Sequence, residues 1–125
     1  MKTRAFDYLY VALSIAFTVY GQLVLKWRMQ GFGPLPVGTL EKLRFLLSLV
    51  VDPVIFSAFF AAFLASLAWM AAMTKFQLSH AYPFMSLTFV AVLLLGHMVL
   101  AEPLSLPKVI GTALIVLGTI VASQG

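Results

Sequence analysis

A chain of 125 residues that is 62% hydrophobic, with a mean hydropathy of +1.05, is too apolar for a soluble domain, which is roughly half apolar. The absence of cysteine excludes disulfides, thiolate metal sites and a cysteine nucleophile. The net charge of +4 does not point to nucleic acid, because the 8 basic residues cluster at the ends of apolar segments, where cations meet lipid headgroups.

No formal charge falls between Asp52 and Lys75, between Lys75 and Glu102, or after Lys108. With Tyr8 to Leu25 these make four runs, each near the ~20 residues a helix needs to cross a bilayer. Backbone polar groups in hydrocarbon must be paired within their own segment, so such runs read as helices. The sequence predicts an all-α membrane protein: a single domain over residues 1–125 with four transmembrane helices and a short interfacial helix between the first two.

The first helix is expected over about 7–27. It carries Ser14, Thr18, Gln22 and Lys26, each four residues apart and therefore on one face, with Gly21 thinning the backbone beside them. Polar groups in hydrocarbon are expensive unless they face protein or water, and a cation more so. The stripe reads as a hydrophilic lining with Lys26 placed for an anion. Alternatively, Ser14 and Thr18 bond back to their own helix while Lys26 snorkels to headgroups. Met1–Asp7 is a charged start, but the following run is long and lacks a small-x-small cleavage site before Gln22 and Lys26. It is not read as a signal peptide.

Gly31, Gly33, Pro34, Pro36 and Gly38 then break the chain. Thr39 is a candidate N-cap for a segment over about 39–51, in which Leu40, Leu43, Leu47 and Val50 recur at helical spacing. Glu41, Lys42, Arg44 and Ser48 cover its other faces, as in a helix lying in the membrane interface or an early extension of the next span. Asp52-Pro53 restarts the chain, since proline is tolerated at a helix N-terminus. The second span is expected over about 53–74, with Ala58, Ala61, Ala65, Ala68 and Ala72 on one stripe.

The third span is expected over about 79–101, with Pro83 kinking or loosening its start. Tyr82 and Ser86 share a face as candidate site residues, and Thr88 follows. His80 is expected as a solvated end residue. His97 reads as a hydrogen-bonded packing histidine or a proton carrier. Glu102 is placed to pair with Lys108 or another cation, or to act as ligand or proton carrier. The fourth span is expected over about 105–122, with Pro107 near its start. Gly111, Gly118 and Ala122 give it a small-residue face that lets helices approach closely. Two small-residue faces in so short a chain point to self-association or a partner subunit.

Lys2, Arg4 and Lys75 fall on one side of the membrane, and Lys26, Arg28, Lys42, Arg44 and Lys108 on the other. The excess weakly favours an intracellular Lys42 loop and outside termini; without Lys26 it almost vanishes, which permits both orientations. The patterns GxxxxGK[ST], HExxH and GxSxG are missing, as are carboxylates close in sequence. The chain is not read as an enzyme, and no cofactor or metal is expected.

Three segments resemble, in order, motifs shared by the small multidrug resistance family and its relatives in the drug/metabolite transporter superfamily. They are Gly21-Gln22-Leu23-Val24-Leu25-Lys26, Ala81-Tyr82, and Gly111-Thr112-Ala113-Leu114-Ile115-Val116-Leu117-Gly118. The similarity covers nearly the whole chain except the Gly31–Val51 insert. Three positions depart from the drug exporters: Thr18 replaces their membrane-embedded glutamate, Met85 their tryptophan, and Leu87-Thr88-Phe89 their glycine hinge. The run Ser79–Val90, followed by Glu102-Pro103, is similar instead to the branch of subunits that flip aminoarabinose-phospho-undecaprenol across the bacterial inner membrane for lipid A modification.

That resemblance implies small four-helix subunits working in pairs, as a homodimer or a heterodimer with a similar subunit, with the dimer contact on Gly111, Gly118 and Ala122. It implies a polyprenyl-phosphate glycolipid as substrate. Lys26 is then expected to bind phosphate, Gln22 and Tyr82 to orient the headgroup, and Thr18 and Ser86 to line the path. Two other functions fit the residues less closely. One is export of small cationic or polar metabolites, with Glu102 or His97 carrying protons. The other is an accessory subunit that stabilises a larger membrane complex.

Overall fold

The computed structural model describes residues 5–125; the charges of Lys2 and Arg4 lie outside the described residues. A 3₁₀ turn, Ala5–Asp7, leads into α1 (Tyr8–Met29). The glycine- and proline-rich loop follows, then α2 (Thr39–Val50), α3 (Pro53–Met73), α4 (Leu78–Met85), α5 (Leu87–Leu100) and α6 (Leu106–Ala122). Three stretches are long and apolar enough to cross a membrane: Ala5–Met29, Pro53–Met73 and Leu78–Leu100. The fourth, α6, is apolar but has 17 residues, so it spans about 26 Å against the ~30 Å hydrocarbon core. The result is a four-span helical membrane fold.

The pairing of α1 with α3 is the most extensive helix contact. Ala58, Ala61, Ala65 and Ala72 are all buried, so the alanine stripe is used inside the chain. At Gly21 the two backbones come close: a Cβ there would sit 3.0 Å from the Ala58 carbonyl oxygen. About two turns earlier the Ser14 hydroxyl donates to the Ala65 carbonyl at 3.2 Å. Ser14 is therefore buried and bonded across to α3, not back to its own helix.

Asp52 fastens the other end of this pair. Its carboxylate caps α3 by accepting from the Val54 and Ile55 amides at 2.9 and 3.3 Å. It also accepts from Arg28, at the end of α1, at 2.8 Å. The hydrogen bond from Arg28 is the main cause that holds the Asp52 pKa below its ordinary 3.8; partial burial opposes this, and the two amides assist. A depressed carboxylate pKa contributes stability above the unfolded value, and that contribution is lost as pH falls through the folded value. Asp52→Asn keeps an N-cap acceptor and removes the ion pair. Its unfolding temperature in detergent is expected to lie below wild type at neutral pH, and the gap to close below about pH 4. A gap that stays constant across that range would mean the ion pair contributes nothing.

The third span is two helices. Proline has no N–H, so Pro83 cannot bond to the carbonyl one turn back, and the chain re-forms its ladder beyond it. Ser86 sits between α4 and α5, its amide donating to the Pro83 carbonyl at 3.0 Å, while the Phe89 amide donates to Ser86. From α6 the buried Thr119 hydroxyl lies 3.1 Å from the same Pro83 carbonyl and 2.9 Å from Ile115 O, sharing its proton between them. Thr119→Val is expected to lower stability by about 1 kcal/mol, one hydrogen bond's worth, with Thr119→Ser retaining most of it. Thermal unfolding of the three proteins side by side checks this.

Helix α6 packs on α4 and α5. Its outer side is open, since a Cβ at Gly111 or Gly118 would meet nothing within 4 Å. Helix α2 contacts α3, buries Leu49 and exposes Leu40, Leu43 and Leu47, the apolar face of an interfacial helix. Its N-cap is Gly38 and not Thr39, which is already the first helical residue. The Glu41 side chain folds back over Gly38 and occupies the space a Cβ would need there.

Candidate functional site

An open cavity of about 510 Å³ lies between α1, α3 and α4. From α1 it is lined by Ser14, Phe17, Thr18, Gly21, Gln22 and Leu25, because the four-residue spacing turns the polar stripe toward one side. From α4 come Tyr82 and Met85. The lining of α3 includes Phe59, Ala62, Ser66, Trp69 and Met70. No lining residue carries a formal charge.

Within this lining some polar groups are already engaged. The Ser14 hydroxyl is spent on Ala65, and the Ser66 hydroxyl donates to the Ala62 carbonyl at 3.1 Å. Thr18 and Gln22 make no side-chain hydrogen bond among the described residues, so an amide and a hydroxyl are left for a ligand. The Tyr82 ring meets the edge of Trp69, with centroids 5.9 Å apart and planes at 82°. That contact makes Trp69 and Tyr82 an aromatic part of the cavity lining.

Of the sequence-predicted site residues, Thr18, Gln22 and Tyr82 come together here. Lys26 does not line the cavity: it is exposed, one turn beyond Gln22 and next to Leu25 at the cavity's end. It makes no ion pair among the described residues, whereas its neighbour Arg28 is held by Asp52. Ser86 is half-buried in the α4–α5 joint, also outside the lining. Beside it, the Thr88 hydroxyl oxygen is buried without a hydrogen-bond partner among the described residues.

His80 is not a solvated end residue. Its Nε2 lies 3.0 Å from the Tyr8 hydroxyl, and its ring stacks on Phe76 and meets the edge of Phe84. His97 is hydrogen-bonded: Nδ1 is 2.8 Å from the Glu102 carbonyl oxygen. A carbonyl only accepts, so Nδ1 carries the proton. The Glu102 carboxylate folds against Gly96 and forms no ion pair with Lys108 among the described residues. His97 and Glu102 both lie outside the α1–α3–α4 cavity.

Trp69, Met70 and Phe59 are lining residues that the sequence did not single out. A signal existed, since Ala62, Ser66, Trp69 and Met70 follow i, i+4, i+7, i+8 spacing on α3. It was masked because α3 is apolar on every face. Tyr8 and Thr119 left no local signal, as their partners are 72 and 36 residues away.

Residues 6–124 match the EamA-like transporter family. A protein of Pseudomonas fluorescens strain Pf-5, described as probable 4-amino-4-deoxy-L-arabinose-phosphoundecaprenol flippase subunit ArnE, is 28% identical over 116 residues. The match covers 93% of this chain and 96% of that relative. No solved structure matches the chain. The cavity between apolar spans and the match over nearly the full length agree: this multi-pass membrane protein belongs to the EamA-like transporter family.

Proposed function

We propose that the chain is one subunit of a translocator that flips a polyprenyl-phosphate-linked sugar, or a similar anionic lipid, across the bacterial inner membrane. The observation that carries this is the pairing of an uncharged cavity, whose Gln22 amide and Thr18 hydroxyl make no side-chain hydrogen bond among the described residues, with Lys26, a cation one turn beyond Gln22 that makes no ion pair among those residues. Lys26 binds the phosphate through a charge-assisted hydrogen bond. Gln22, Thr18 and Tyr82 meet the sugar hydroxyls, and the phenyl, indole and methionine walls take the start of the prenyl tail. Ser86 acts at the joint between α4 and α5, on the path rather than in the pocket. The identity to the flippase subunit supports the substrate class. The second subunit, a copy of this chain or a similar four-helix protein, is placed on the open face of α6 around Gly111, Gly118 and Ala122. Translocation follows from rocking of the two halves about the shared site.

The exporter of cationic drugs is disfavoured by the cavity itself. Its lining has no carboxylate to trade a proton for a cation, with Thr18 at the position that would supply one. The deciding experiment reconstitutes the purified protein in proteoliposomes containing a labelled polyprenyl-phosphate sugar and follows its appearance in the opposite leaflet. Protein-dependent flipping, alone or with a second four-helix subunit, supports the proposal. PH-driven uptake of a cationic dye without lipid flipping replaces it with the exporter. Neither activity, with or without such a subunit, leaves the accessory role.

A further inference from the structure

A second groove of about 410 Å³ lies between α5 and α6, away from the transport cavity. Its walls are apolar, with Val92 and Leu93 on one helix and Ile115 on the other. Gly111 keeps it open, as no side chain fills the space in front of its Cα. Both Glu102 and Lys108 line its end, yet they form no ion pair among the described residues.

The backbone doubles this separation of charge. The short turn between Leu100 and Leu106 sets the C-terminus of α5 beside the N-terminus of α6. A helix C-terminus is the negative end of its dipole and an N-terminus the positive end. The Glu102 carboxylate folds onto the last turns of α5, against Gly96, so negative charge is stacked on a negative helix end. Lys108 lies in the first turn of α6, where the end is already positive. Neither arrangement is favourable alone, and each calls for an opposite charge from outside the chain. A cation is wanted at Glu102 and an anion at Lys108, with an apolar chain running between the helices.

We propose that the α5–α6 groove binds one ethanolamine phospholipid. Its primary ammonium donates to Glu102, its phosphate pairs with Lys108 at the start of α6, and one acyl chain lies along Val92, Leu93 and Ile115. The site shares no residue with the α1–α3–α4 cavity and does not depend on the transported substrate; at Gly111 it adjoins the α6 face proposed for the second subunit, so the lipid lies at the edge of that contact. It selects against phosphatidylglycerol, which brings no cation to Glu102, and against phosphatidylcholine, whose quaternary ammonium has no N–H to donate.

The test is native mass spectrometry of the full chain released from micelles doped with equal amounts of phosphatidylethanolamine, phosphatidylglycerol and phosphatidylcholine. Wild type is expected to retain one ethanolamine lipid per chain, about tenfold over either competitor, the ratio that one charge-assisted hydrogen bond provides. Glu102→Gln should remove the preference over phosphatidylcholine, and Lys108→Ala should weaken retention of every phospholipid at this site. Lys26→Ala should change neither. The double variant Glu102→Lys with Lys108→Glu keeps both charges on the surface and controls for folding; with each charge now opposite to its helix end, it should lose the preference while unfolding no lower than wild type. Equal retention of the three lipids overturns the proposal. So does a preference that survives Glu102→Gln, or a groove closed by a second copy of the chain with no lipid retained.

Discussion

Replacing Lys26 with alanine is expected to reduce translocation of a polyprenyl-phosphate sugar by about 10- to 100-fold, the value of a charge-assisted hydrogen bond of ~1.5–3 kcal/mol. The argument rests on position and on lack of alternatives. Lys26 stands one helical turn past Gln22, at the end of a cavity with no charged lining residue. Its nearest basic neighbour, Arg28, is already bound to Asp52 at 2.8 Å and stacked on the Phe32 ring. An anionic headgroup entering from this side thus meets a single uncommitted cation on α1. Because Lys26 is exposed and makes no ion pair among the described residues, the fold should not depend on it, and unfolding temperature should stay within experimental error. Lys26→Arg should keep most activity, since the charge and the reach are retained. Full flipping by Lys26→Ala in proteoliposomes would remove the phosphate-binding role. Loss of flipping together with loss of the folded protein would mean Lys26 is structural instead.

Gly21→Leu is expected to destabilise the protein by about 1–3 kcal/mol, the usual consequence of overpacking a close contact. The glycine is helical with ordinary backbone angles, so strain is not the reason. Space is: a Cβ would lie 3.0 Å from the Ala58 carbonyl oxygen, and the atom it meets is backbone that cannot rotate away. A leucine must push α1 from α3 along the most extensive helix contact in the molecule. That movement also breaks the register in which Ser14 reaches Ala65 and widens the wall of the cavity that Gly21 helps to line. Gly21→Ala is a sharper probe. It gains up to ~1 kcal/mol of helix propensity and loses it again to the tight contact, so it should be close to neutral. Denaturant titration in detergent compares the three proteins. A leucine variant as stable as wild type would mean that α1 and α3 do not approach as closely as described.

Much of this architecture was legible in the chain before any tertiary contact was known. The charge-free gaps marked the spans, because a bilayer imposes a length and an apolar composition on each segment independently. Asp52-Pro53 marked the start of α3, and the leucine spacing marked α2, because caps and amphipathic faces are written within one or two turns. The grouping of Thr18, Gln22 and Tyr82 along one cavity was legible because a polar group in an apolar span is costly enough to stand out.

The tertiary structure decided what those residues face. Ser14 belonged to the same stripe as Gln22, yet it is consumed in the α1–α3 contact, a matter of which carbonyl lies opposite it. His80 looked terminal and solvated until Tyr8, Phe76 and Phe84 closed around it. Pro83 announced a kink, but not that Ser86 would divide the span or that Thr119 of α6 would bind the freed region. Trp69 entered the cavity from a helix whose apolar residues surround it on every side, so no periodicity could say which face looked inward. Local sequence therefore determined that this protein is a bundle of membrane spans with a polar stripe on the first. The rotation and crossing of those spans determined the site, because the contacts that fix them join residues far apart in the chain. In an all-apolar helix their energy comes from close packing and single hydrogen bonds, which leave no repeating pattern to read.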